Sequence, residues 1–134
     1  MGILITLITL AIALGVFLAR SGYDKNQIRR QLEDAFGYDL SRSLEQIRPE
    51  YGFEVSCQRS VPESIVAFLE ADDFESAVRN AISLGGDSDT MACMAGALAQ
   101  AFYKDIPRAI SRQVYNKLPK EFKEIVILFE QQHL

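Results

Sequence analysis

Residues 85–90 of the chain read Gly-Gly-Asp-Ser-Asp-Thr and place two carboxylates and a hydroxyl within four positions. At a turn, the side chains of Asp87, Asp89 and Thr90 can converge on one hard cation. The two glycines before them let the backbone bend tightly, because glycine adopts positive φ angles at no steric cost. All the ligands are oxygens, with no His or thiolate nearby, which favours Mg²⁺ over Zn²⁺. The block therefore predicts half of a magnesium site.

Helix capping is the competing interpretation of the same acidic residues. An Asp at a helix N-cap accepts a hydrogen bond from an unpaired backbone N–H and favours the positive end of the helix dipole. Capping needs only one Asp, whereas this block has two together with Thr90. An EF-hand loop starting at Asp87 does not fit, because Ala92 and Leu98 stand where glycine and a carboxylate are required. The aspartyl-phosphate pattern does not fit either, since Thr90 is out of register.

The segments around this block have the spacing of helices, and no strand-like alternation appears. A helix is predicted from about Asp89 to Tyr103, and its many small residues imply that neighbouring helices approach closely. The sequence therefore predicts an all-α fold, with residues 1–134 forming a single helical domain. Further predictions are an apolar stripe at Phe74, Val78, Ala81 and Ile82, helix starts at Ser60 with Glu63 and at Asp72 with Glu75, a connecting loop over residues 50–60 and a last helix over about 121–131.

Composition narrows the class of protein. The 134 residues carry a formal charge of -4 at pH 7, which argues against nucleic acid binding through phosphates. Neither Cys57 nor Cys93 belongs to a Cys-x-x-Cys pair, which argues against a zinc knuckle or a redox motif. A reducing compartment is the simpler inference. Cys93 stands among small residues and is predicted to be buried in the core.

Residues 2–19 contain no charged side chain, and two interpretations are open. One is a membrane anchor at the lower edge of spanning length, with the basic residues after it on the cytoplasmic side. A signal peptide fits poorly because no basic residue precedes the apolar run. The other interpretation is a central core helix, apolar all round because other helices surround it. The rest of the sequence favours the core helix, residues 1–19, in a cytoplasmic protein.

With these residues in view, the chain resembles the ADP-ribosylglycohydrolase family. The block at residues 85–90 is the most specific part of the likeness, and the small-residue helix and Ile106-Pro107 follow it. The likeness extends over roughly residues 15–110. It also includes Phe17-Leu18-Ala19-Arg20-Ser21-Gly22, Gly37-Tyr38-Asp39-Leu40, Ser60-Val61-Pro62-Glu63, Ala67-Phe68-Leu69, Asp73-Phe74-Glu75 and Ala77-Val78-Arg79-Asn80-Ala81-Ile82.

The resemblance implies an orthogonal helical bundle with a binuclear Mg²⁺ centre, Mn²⁺ being the alternative metal. It implies cleavage of the glycosidic bond between ADP-ribose and an acceptor, either a protein side chain or a small molecule. On this basis Asp87, Asp89 and Thr90 are expected to bind metal. Residues Gly85, Gly86 and Ser88 are expected to shape the loop beside the ribose, and no catalytic residue is assigned.

The chain lacks two features that the family carries in the first half of its sequence. The family has a Gly-Asp loop and a Thr-Asp-Asp cluster there, which supply the remaining metal ligands, and this chain has neither. It therefore resembles the C-terminal half of such an enzyme. Three hypotheses follow: a hydrolase fragment that needs an N-terminal half or a second copy, a non-catalytic ADP-ribose-binding or helical interaction module, and a protein anchored in a membrane by residues 2–19.

Overall fold

A computed structural model describes the backbone of residues 2–51 and 57–133 and the side chains of residues 10–51 and 60–132. In these segments the chain forms helices and no strand, which confirms the predicted all-α class. The helices are α1 (Gly2–Arg20), α2 (Lys25–Phe36), α3 (Leu44–Ile47), α4 (Cys57–Leu69), α5 (Phe74–Ser83), α6 (Ser88–Tyr103), α7 (Arg108–Lys117) and α8 (Lys120–His133).

Helix α6 is the centre of the fold and packs against α1, α4 and α5. Its buried face includes Met91, Ala95 and Leu98, none of which is exposed to solvent. Gly96 is also buried, and a Cβ atom added there would lie 3.5 Å from Val78 of α5. Small residues thus allow α5 and α6 to approach closely, as the sequence predicted. Helix α6 begins at Ser88, one residue before the predicted start.

The prediction that Cys93 is buried is wrong. Cys93 is a free, exposed cysteine. The helical register explains the difference: burial of Met91, Ala95 and Leu98 fixes one face of α6 against the core, and position 93 then points away from it. A run of small residues did not reveal which of them faced solvent.

The predicted start of α4 at Ser60 is also wrong, because α4 begins at Cys57 and Pro62 lies inside it. Val61 and Ile65 are fully buried, and the Oγ of Ser64 donates a hydrogen bond of 2.5 Å to the carbonyl of Ser60. The loop predicted over residues 50–60 therefore fails at 57–60, while residues 52–56 lie outside the described residues.

The cap of α5 lies one residue after the predicted one. Asp73 rather than Asp72 is the N-cap, and its carboxylate accepts a 2.7 Å hydrogen bond from the backbone N–H of Ser76. The Oγ of Ser76 accepts a 3.0 Å hydrogen bond from the N–H of Asp73 in return. Glu75, which was expected to complete the cap, forms an ion pair with Arg79 at 2.6 Å instead.

Helix α1 is apolar, and from residue 10 onward, where its side chains are described, it is buried on a single face. Ala11, Leu18 and Ala19 are buried, whereas Leu10 is 51% and Phe17 is 64% exposed. The expectation of a core helix surrounded on all sides is therefore wrong for residues 10–19. Over the described residues, we find no helix with both the length and the apolar character needed to cross a membrane.

Helices α7 and α8 lie outside the packed core, since none of their described side chains is buried. The sequence did not predict α7, and it predicted α8 slightly shorter than the observed Lys120–His133. The two helices expose large apolar side chains to solvent: Val114, Tyr115, Phe122, Ile125, Ile127, Leu128 and Phe129.

A polar cluster at the carbonyl of Ala71 joins α2 to the ends of α4 and α6. The hydroxyl of Tyr103 donates a 2.5 Å hydrogen bond to this carbonyl, and the ammonium of Lys25 also donates to it. The ammonium lies 5.5 Å from the ring centroid of Phe68 and 5.7 Å from that of Phe102, which are cation–π distances. The cluster holds the C-terminal end of α6 in place.

We expect Tyr103→Phe to lower the free energy of unfolding by about 0.5–1.5 kcal/mol near neutral pH, because one hydrogen bond is lost. Burial, with the carboxylates of Asp72 and Asp73 nearby, raises the pKa of the Tyr103 phenol above 10.0. A raised folded-state pKa means that this stabilisation is complete below pH 10.0 and is lost as the pH rises through the folded-state value. The difference between wild type and variant should therefore shrink above about pH 10 in urea unfolding. A difference that stays constant with pH would contradict the assignment.

Candidate functional site

The turn that carries the acidic residues joins α5 to α6 and is anchored on both sides. Leu84, just before it, is 4% exposed, and Met91, in the first turn of α6, is fully buried. The hydroxyl of Tyr51 donates a buried hydrogen bond of 3.2 Å to the sulfur of Met91. These contacts fix the position of residues 85–90 relative to the core.

The two glycines of the turn have the conformation that the sequence predicted. Gly85 has a φ of 79° and Gly86 a φ of 65°, both in the left-handed region. A side chain at Gly85 would meet no atom within 4 Å, so the backbone conformation rather than space requires glycine there. The pair reverses the chain direction between α5 and α6.

Asp87 stands at the N-cap position of α6, but its carboxylate makes no capping hydrogen bond. Only its carbonyl takes part in the helix, accepting a 3.0 Å hydrogen bond from the N–H of Met91. The capping interpretation therefore does not account for this side chain, which is half-buried.

The carboxyl groups of Asp87 and Asp89 are neighbours. A hydrogen bond with the Asp87 side chain is the main cause that lowers the pKa of Asp89 below its ordinary 3.8. The backbone N–H of Thr90 contributes further, donating a 3.0 Å hydrogen bond to Oδ1 of Asp89. Asp89 and Thr90 are exposed, whereas Gly86 and Ser88 are half-buried. One turn thus brings all six predicted residues together.

The donor set of the turn fits a hard divalent cation in part. Two carboxylates side by side repel each other unless a proton or a cation lies between them, and oxygen ligands suit Mg²⁺. Within the described residues, no cluster of three or more His, Cys, Asp and Glu side chains is placed to hold a metal ion. The turn offers two acidic ligands, and further acidic ligands would have to come from elsewhere.

Three cavities lie elsewhere on the described part of the chain, and residues 85–90 line none of these three. One of about 410 Å³ lies at the ends of α1 and α6, one of about 310 Å³ beside Tyr103 and Pro107, and one of about 540 Å³ between α7 and α8. The 16-residue helix α6 separates the acidic turn from its C-terminal end by about 24 Å. The turn is therefore not part of the wall of any of these three cavities.

Fold and turn together define an all-α protein in which a Gly-Gly-Asp turn opens a central helix of small residues. The family model for ADP-ribosylglycohydrolase matches residues 5–133. The chain belongs to the ADP-ribosylglycohydrolase family, and the resemblance seen in the sequence is confirmed.

Relatives in several vertebrates cover about half of the chain. ADP-ribosylhydrolase ARH3 of Danio rerio is 38% identical over 74 residues, which is 47% of this chain and 20% of the relative. The Mus musculus protein of the same name is 40% identical over 72 residues, or 46% of this chain and 20% of the relative. The Homo sapiens protein is 37% identical over 74 residues, with 47% and 20% covered. The match thus spans about a fifth of the length of these curated relatives. No solved structure matches the chain.

Proposed function

We propose that the chain is the metal-binding half of a Mg²⁺-dependent hydrolase that cleaves the glycosidic bond between ADP-ribose and an acceptor. The observation that carries this proposal is the turn itself, where the carboxylate of Asp87 makes no capping bond and lies beside that of Asp89. Family membership supports the same reaction class, and the three relatives named above are called ADP-ribosylhydrolases.

Each residue of the turn has a distinct part in this proposal. Asp87 and Asp89 hold the cation through their carboxylates, and Thr90 does so through its hydroxyl. Gly85 and Gly86 present backbone without side chains, which lets the ribose approach the turn, and Ser88 lies beside it. A bound Mg²⁺, or Mn²⁺ in its place, would supply positive charge that orients ribose hydroxyls and lowers the pKa of a bound water.

The proposal requires a complementing partner for turnover. Mg²⁺ prefers six oxygen ligands in near-octahedral geometry, and this turn supplies three protein oxygens. An N-terminal half-domain or a second copy of the chain would provide others. The exposed apolar side chains Leu10 and Phe17 on α1, with Phe122 and Ile125 on α8, give such a partner a surface to cover.

A non-catalytic module that binds ADP-ribose without cleaving it is the second candidate. The observation that favours it is the openness of the turn, because Asp89 and Thr90 are exposed. A ligand could be held there on one side, without the enclosed surroundings that exclude water from a reacting bond.

A chimera separates the two candidates. A segment of this chain that contains residues 85–90 replaces the corresponding segment of ADP-ribosylhydrolase ARH3 of Danio rerio, and release of ADP-ribose from an ADP-ribosylated protein is measured with Mg²⁺. We expect release by the chimera. A matched chimera carrying Asp87→Asn and Asp89→Asn should be slower by about 100-fold or more, since loss of even an outer-shell partner of a metal site costs about 10–100-fold.

The outcomes point in different directions. Release that depends on Asp87 and Asp89 supports the hydrolase. A chimera that is folded by circular dichroism and binds ADP-ribose, but releases none from the protein, supports the binding module. Equal release from both chimeras would mean that the two carboxylates have no part in the reaction, and the metal assignment would fail.

A further inference from the structure

The cavity between α7 and α8 is open to solvent, and all the side chains that line it are exposed. Its volume is about 540 Å³. Helix α7 contributes Arg108, Ser111, Arg112 and Tyr115 to its lining, and α8 contributes Ile127 and Glu130. One wall is therefore polar and cationic, and the other is formed by an apolar side chain and a carboxylate.

The positive charge of the α7 wall contrasts with the net negative charge of the chain. The chain has a net charge of -4, yet α7 carries Arg108, Arg112 and Lys117 and no acidic residue. Two arginines elsewhere pair with carboxylates, Arg79 with Glu75 at 2.6 Å and Arg42 with Glu50 at 2.8 Å, whereas Arg48 donates to the hydroxyl of Ser83. Among the described side chains, neither Arg108 nor Arg112 lies in an ion pair of this kind.

The spacing of the two arginines suits a pair of linked phosphates. Residues four apart on a helix have Cβ atoms about 5–6 Å from each other, so both guanidinium groups can reach one ligand. A guanidinium binds phosphate oxygens with two parallel N–H···O hydrogen bonds, which gives each phosphate of a diphosphate its own partner. Two like charges at this spacing otherwise repel each other, and a dianion between them removes that cost.

An aromatic ring lies beside the arginines on the same wall. Tyr115 is 38% exposed, and the ammonium of Lys123 lies 5.4 Å from its ring centroid. A ring of this kind can stack on a flat base or sugar face. Glu130 lines the opposite wall and opposes an anion, but Arg108 and Arg112 outnumber it.

We propose that this cavity is a binding site for a diphosphate group, with Arg108 and Arg112 as its phosphate ligands. It lies beyond the C-terminal end of α6, while the acidic turn lies at the N-terminal end, so it is separate from the candidate metal site. The proposal does not depend on hydrolase activity.

Calorimetric titrations of the whole chain with ADP, inorganic pyrophosphate and AMP, in EDTA, test the proposal. We expect ADP and pyrophosphate to bind more tightly than AMP. The double variant Arg108→Gln with Arg112→Gln should weaken binding of ADP and of pyrophosphate by about tenfold or more, because both guanidinium partners of the phosphates are removed. Lys117→Gln removes the same charge from α7 outside the cavity and should change the affinity less than about twofold.

Further variants make the result decisive. Glu130→Gln removes the opposing carboxylate and should tighten binding. If Tyr115→Leu lowers the affinity for ADP to that for pyrophosphate, the site takes a nucleoside diphosphate. If ADP and pyrophosphate bind equally to the wild type and to Tyr115→Leu, the site takes free diphosphate. Absence of binding at millimolar ADP and pyrophosphate, or equal weakening by Lys117→Gln, would overturn the proposal.

Discussion

We expect Mg²⁺ to raise the thermal stability of the wild-type chain, and replacing either Asp87 or Asp89 with asparagine should abolish that rise. At a Mg²⁺ concentration ten times the dissociation constant, binding adds about 1.4 kcal/mol to the free energy of unfolding. A neutral amide removes one of two carboxylate ligands and the charge that holds the cation. The measurement is the melting temperature as a function of Mg²⁺ concentration, with EDTA as the reference.

Asparagine is chosen because it separates metal binding from helix capping. Asn caps a helix about as well as Asp, so a capping role predicts little change in EDTA. Its amide can donate a hydrogen bond to the neighbouring Asp89 carboxylate, which also relieves like-charge repulsion. We therefore expect Asp87→Asn to be at least as stable as wild type in EDTA and to show no response to Mg²⁺.

Asp34→Asn is the matched control, because Asp34 is an exposed carboxylate on α2 and the net charge changes equally. This variant should keep the full response to Mg²⁺. If the variants at Asp87 and Asp89 also keep it, the turn does not bind the metal. A loss in Asp34→Asn as large as in the other two would show a diffuse charge effect instead of a site.

The acidic turn was predictable from the sequence because its determinants are local. A glycine pair, two Asp residues and a Thr lie within six consecutive positions, so their proximity in space needs no long-range contact. The left-handed φ angles of Gly85 and Gly86 follow from the same short stretch. Long-range contacts such as that between Tyr51 and Met91, which hold the turn against the core, could not be inferred in this way.

The prediction for Cys93 was wrong because tertiary packing decides which face of a helix is buried. Cys93 was placed in the core because its neighbours are small, and the register of α6 turns it to solvent. The sequence contained the right residue types, but only the packing of Met91, Ala95 and Leu98 selects the buried face. The start of α4 was placed at Ser60 on a local capping signal, whereas the helix begins at Cys57.

The cationic cavity was missed for a different reason. Arg108 and Arg112 lie in a helix that was not predicted, and none of its residues is buried. Their spacing of four with no acid in the same segment was the available signal. This spacing indicates a ligand site only when α8 lies opposite α7, because a basic helix face on its own is ordinarily solvated.

The contact between α1 and α6 determines how closely the apolar first helix packs on the helix that carries the turn. Gly15 is buried, and a Cβ atom there would lie 2.6 Å from Cδ2 of Leu98, closer than real Cβ contacts allow. Leu98 is fully buried and so has little freedom to move aside. Gly96, on the other side of α6, has its nearest neighbour at 3.5 Å, an ordinary contact distance.

Leu98→Ala should therefore lower the free energy of unfolding by about 2–5 kcal/mol, because it opens a cavity in the core. Gly15→Ala alone should be destabilising. Overpacking costs about 1–3 kcal/mol, which is more than the roughly 1 kcal/mol that alanine gains from its higher helix propensity. In the Leu98→Ala background the same substitution should stabilise by about 1 kcal/mol, because the clash is gone and the methyl group fills space. Gly96→Ala, the matched control, should stabilise in the wild-type background. Urea unfolding of the four proteins of the cycle measures this reversal of sign, and a Gly15→Ala effect that is the same in both backgrounds would show that Leu98 does not set the distance between α1 and α6.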